Sequence, residues 1–190
     1  FFQRRKNGSF EWNSHLHVLD SSWLSSLHSL PMEGAFDLDV HASAGRKKRM
    51  KGAFSGTLTP KTDIKVLQSP SAFEGKFHQT PDGLWKISRS SFQGKDFQAQ
   101  ASASLSAEAE LLDLSGWLHT EQLFLPPLKG KMLARWTFRK EGENLVGKVL
   151  AQIPELTFKK FHWEQVELIL DTVDREGKFQ LKSDEWHSTG

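Results

Sequence analysis

Apolar and polar residues alternate with a period of two from one end of this chain to the other. Phe36, Leu38, Val40 and Ala42 interleave with Asp37, Asp39, His41 and Ser43, the pattern of a strand with one dry face and one wet face. A longer case sets Phe97, Ala99, Ala101, Ala103, Leu105 and Ala107 against Gln98, Gln100, Ser102, Ser104 and Ser106, a strand whose inward residues are mostly small. The same logic predicts strands within 10–18, 54–58, 64–66, 73–77, 85–87, 114–118, 132–138, 145–153, 156–158, 166–170 and 179–181. On the apolar side these carry, among others, Met132, Ala134, Trp136, Phe138, Val149, Leu168 and Leu170. Residues that tolerate turn dihedrals lie between the runs, at 60–63, 81–83, 141–144 and 174–177, so neighbouring strands are expected to form antiparallel hairpins. The one predicted helix is short: Asp20 or Ser21 caps it, Trp23, Leu24 and Leu27 follow, and it ends before Pro31.

Many short strands usually close into a sandwich or barrel. An internal echo favours an open sheet instead. A strand beginning at Gly34 returns at Gly52, 18 residues on, and one beginning at Gly130 returns at Gly147, 17 residues on. Upstream, residues 16–23 parallel 111–118, giving loose units of about 10–95 and 96–185, too long a period for a solenoid rung. The expected fold is therefore all-β, an open, curved, mainly antiparallel sheet with one short helix.

Composition narrows the chemistry. The 190 residues are only 37% hydrophobic, yet 14 Phe and 7 Trp are too many for a disordered chain. A net charge of +2 provides no field to steer the protein toward nucleic acid. The absence of cysteine removes thiol catalysis, disulfides and thiolate-bound zinc, and fits a bacterial envelope or secreted protein. The chain opens on Phe1 and Phe2 without a signal segment and stops at Gly190 without a finishing element, as a slice of a longer repetitive protein would.

Few residues carry candidate chemistry. His15 and His17 share a strand face as a zinc pair can, but no Asp, Glu or third His recurs at a supporting spacing, so they read as solvent-facing polar residues. Asp37 and Asp39 fall on the polar face of one strand with nothing nearby to raise either pKa, so a glycosidase dyad is not expected. Ser88, Ser90 and Ser91 lack a nucleophile elbow and a partnered base. Arg46, Lys47, Lys48 and Arg49 form a basic turn, a solvated loop whose functional reading is contact with phosphate or a lipid headgroup. Trp12, Trp85 and Trp136 fall on apolar faces, Trp117 points the other way from Leu118, and the face of Trp163 is ambiguous.

The runs Phe92-Gln93-Gly94-Lys95-Asp96-Phe97-Gln98-Ala99, Leu111-Leu112-Asp113-Leu114-Ser115-Gly116-Trp117-Leu118 and Pro127-Leu128-Lys129-Gly130-Lys131-Met132 resemble the AsmA-like envelope bridge proteins, the TamB family most closely, with the YhdP and YdbH relatives as alternatives. The resemblance implies a groove, taco-like in section, that carries phospholipid between inner and outer membranes. It implies a periplasmic segment of an inner-membrane-anchored protein, with a TamA-like outer-membrane barrel as partner of the full-length protein and membrane contact through that protein only. No enzyme activity, cofactor, metal or nucleic acid is expected. The lining would be Phe36, Leu38, Val40, Phe97, Ala99, Ala101, Ala103, Leu105, Met132, Ala134, Trp136, Phe138, Val149, Leu168 and Leu170. The alternative is a free-standing β-sandwich carbohydrate-binding module, whose aromatics would sit on loops or on a polar outer face.

Overall fold

The structure, a computed structural model, describes residues 2–4, 9–18, 34–45, 49–60, 69–123, 128–173, 176–183 and 185–188. The strands are β1 (Phe2–Arg4), β2 (Phe10–Val18), β3 (Gly34–Ala44), β4 (Met50–Pro60), β5 (Ser71–Gln79), β6 (Trp85–Gln93), β7 (Phe97–Leu105), β8 (Leu111–Thr120), β9 (Met132–Glu141), β10 (Asn144–Phe158), β11 (Phe161–Val173), β12 (Glu176–Lys182) and β13 (Glu185–Ser188). No described residue is helical. The helix expected after Asp20, the strand expected at 64–66 and the basic residues Arg46, Lys47 and Lys48 lie outside the described residues.

The chain forms two compact units, Phe1–Lys95 with Ser104–Glu110, and Asp96–Ala103 with Leu111–Gly190. In the first, β1 to β6 follow one another as an antiparallel meander. In the second, β8 to β12 do the same, and β13 pairs with the start of β11, beside β12. Short loops explain the order: Thr80 to Leu84 close one hairpin with Gly83 at φ 89°, and Gly142 at φ 66° turns β9 into β10.

Three strands depart from the simple pattern. Residues 145–153 and 156–158, expected as separate strands, are one, because β10 runs through the exposed Pro154. Its missing N–H is tolerated because no Cα partner pairs there, while Ile153↔Val166 and Glu155↔Glu164 do pair on either side. The facing Gln165 has φ 50°, and the apolar positions of β11 change from even (Val166, Leu168) to odd (Trp163, Phe161) across it. In β6 an irregularity opposite Glu74 to Lys76 does similar work. Arg89, at φ 53°, adds one residue, so Phe92 returns to the face of Trp85 and Ile87 and stacks on Phe73 at 6.0 Å.

The buried apolar residues are small or branched: Ala42, Ala44, Ala134, Ala151, Ile153 and Val166. No Phe, Trp, Leu or Met whose side chain is described, which leaves out Phe2 and Trp186, is buried. The main contacts between strands run between ladder neighbours, so each unit is a single layer. Both units are thus open antiparallel sheets.

Candidate functional site

Register assembles the apolar face from alternate residues. In the first unit, Phe36, Leu38 and Val40 of β3 lie opposite Leu58, Gly56 and Phe54 of β4. Further along, Gly52, Phe54 and Gly56 of β4 meet Phe77, Gly75 and Phe73 of β5. Rings and glycines interlock: a side chain at Gly56 would meet Cζ of Phe73 at 2.7 Å, and the rings of Phe77 and Phe54 stand over Gly52 and Gly75. The rings then continue sideways, Phe54 to Phe73 at 6.4 Å and Phe77 to Trp85 at 6.1 Å.

The second unit repeats the device. Trp136 lies across Gly116, whose missing side chain would meet its Cζ2 at 2.5 Å, and Phe138 lies across Gly147. Hydrogen bonds from Trp117 Nε1 to Gln100 Oε1 (3.3 Å) and from Glu121 N to Asp96 O (2.8 Å) fix β7 against β8. That register puts Ala99, Ala101 and Ala103 on the same side as Gly116. One row then reads Ala101, Gly116, Trp136, Val149, Leu170, Phe179, and the next Ala99, Leu118, Ala134, Ala151, Leu168, Leu181. Met132 stands at the end of β9 opposite Thr120. Phe97 and Leu105 share the phase of the alanines along β7. The row ends open: Phe179 is 63% and Leu181 59% exposed, as Trp12 and Leu16 are largely exposed in the first unit.

The opposite face of the first unit is polar and self-paired. Cross-strand pairing brings the acidic partners of the histidines from β3, which spacing along β2 alone does not show: His15 Nδ1 is 2.9 Å from Asp39, His17 pairs with Asp37, and His41 with Asn13. Among the described residues no three metal-ligating side chains converge there. The hydrogen bond from His17, helped by one from Thr57, holds the Asp37 carboxyl below its ordinary value of 3.8, the direction opposite to that of a general acid. Of the basic turn, Arg49 is exposed.

The lowered Asp37 value has a consequence for stability. Ionised Asp37 favours the folded state above its ordinary pKa, and that contribution is lost as pH falls through the folded value. The expected result is that the thermal midpoint falls as the pH is lowered below the ordinary Asp value of 3.8, and that Asp37→Asn shows a shallower drop. Calorimetry over a pH series checks it.

An open, one-sided antiparallel β-sheet with an apolar face of interlocked rings and glycines is the class of protein that this geometry defines. The chain matches no protein-family model, no curated protein and no solved structure.

Proposed function

We infer that the chain is a non-enzymatic segment of a lipid-carrying β-groove of the AsmA-like, TamB type, whose apolar face holds phospholipid acyl chains on their way between inner and outer membranes. The observation that carries the reading is that Phe36, Leu38, Phe54, Phe73, Trp136 and Phe138 line one face of their units and none of them is buried. A soluble monomer rarely leaves so much contiguous apolar surface without a partner. An acyl chain is a fitting cover, since burying each methylene contributes about 0.8 kcal/mol and demands no directional contact. Arg46, Lys47, Lys48 and Arg49 follow β3 in the sequence and precede β4, and side chains of this charge are those that pair with headgroup phosphates. The TamA-like partner and the membrane anchor belong to the full-length protein.

A photo-crosslinking amino acid at Leu38 or Trp136 is expected to capture phospholipid in cells, and one at Asp37 or Thr137, on the other face, is not. Equal capture from both faces, or none from either, overturns the reading.

A further inference from the structure

The face of the second unit that alternates with the apolar rows is mixed: beside its polar residues it carries Leu133, Leu150 and Ile169, and also Trp117, which the groove does not use. Trp117 stands half-buried with Leu133 close by, its indole N–H donated to Gln100 Oε1 at 3.3 Å. Directly across the ladder is Arg135, exposed. The neighbouring cations are neutralised, Arg139 by Asp113 at 3.1 Å and Lys148 by Asp171 at 4.0 Å, whereas Arg135 has no carboxylate among the described residues. Around the pair lies a depression of about 530 Å³ whose walls include Ser102, Ser115 and Thr137.

We propose that this depression is a binding site for an acidic sugar, a hexuronate unit of an oligosaccharide. The apolar C–H face of the ring stacks on Trp117, an amphipathic platform already held in place by Gln100. The carboxylate takes the planar fork of Arg135, which matches it with two parallel hydrogen bonds. The hydroxyls of Ser115 and Thr137 line the same depression and can meet the ring's own hydroxyls. A peptide is a poorer fit, because the site is in mid-sheet, where the backbone groups a strand-adding peptide needs are already paired. A nucleic acid is a poorer fit because one free arginine does not track a phosphate backbone. Trp117, Arg135, Ser115 and Thr137 occupy the positions that alternate with the apolar rows, and the proposal does not rest on the groove reading.

Calorimetric titration of the 190-residue chain with hexagalacturonate, and with neutral maltohexaose as control, tests it. Hexagalacturonate is expected to bind saturably and more tightly than maltohexaose. Arg135→Gln should weaken the acidic oligomer about tenfold, the scale of one charged hydrogen-bonded pair, and leave the neutral one unchanged. Trp117→Ala should weaken both, and Trp117→Phe, which keeps a platform, should restore most of the loss. If Trp117→Ala does not fold, Arg135→Gln and Trp117→Phe decide. No saturable binding, equal affinity for the two sugars, or an acidic affinity indifferent to Arg135→Gln each overturns the proposal.

Discussion

Replacing Gly56 by valine should destabilise the chain by about 3 kcal/mol, the upper range for forcing extra atoms into a packed site. A side chain at Gly56 runs into the carbonyl oxygen of Asp37 on the neighbouring strand as well as into the Phe73 ring. The ring can turn, but the carbonyl belongs to the β3–β4 ladder and moves only if the strands part. Gly147→Ala should cost less, because the atoms it meets belong to the side chains of Phe138 and Thr172. Gly45→Ala should lie within about 0.5 kcal/mol of the parent, since its surroundings are open. Urea unfolding followed by circular dichroism measures all three. The ranking Gly56, Gly147, Gly45 is the result to look for, and a tolerated Gly56→Val removes the interlock as a source of stability.

A carboxylate introduced at Val166 should destabilise the fold by about 3–5 kcal/mol, whereas the same change at Leu181 should be almost silent in stability. Both residues lie on apolar positions of the second unit. Val166 is 2% exposed and pairs with Ile153 at 4%, so a charge there has neither water nor a partner. Leu181 is 59% exposed, and an aspartate in its place reaches solvent directly. Denaturant midpoints separate the two, and the crosslinked lipid yield adds a second reading: Leu181→Asp should lower lipid capture from Trp136 without lowering stability. A closed core would make the two substitutions equally damaging, because no position on a covered face keeps contact with water.

The alternation of β3, β7 and β9 was readable from sequence because one side of each strand is apolar throughout, and period two is a property of the pleat itself. Where sequence failed, the backbone had departed from that period. Nothing in Ile87-Ser88-Arg89-Ser90-Ser91-Phe92 announces that Arg89 takes φ 53°, so Phe92 could not be assigned to the face of Phe73. Pro154 reads locally as a terminator, and only its partner strand shows that its missing donor falls where no pairing occurs. The short β1 and β13 carry too few residues to display a period. The ring–glycine interlock was legible in principle, since Gly52-Ala53-Phe54-Ser55-Gly56 and Phe73-Glu74-Gly75-Lys76-Phe77 are complementary when run antiparallel. Complementarity appears only after the two are set side by side, as with His15 and Asp39, or Trp117 and Arg135.

Because the strands of each unit contact chiefly their ladder neighbours, the free energy of folding divides into local strand terms and nearest-neighbour interface terms, as in a one-dimensional chain of coupled spins. Cooperativity then has a finite range. Opening can begin at a weakly held margin such as β12, whose residues are all exposed, and travel inward strand by strand, with the long β10–β11 ladder the last to yield. For such a molecule a single unfolding midpoint is an average over margins and interior, and the quantity with physical meaning is a profile of opening free energy along the strand order.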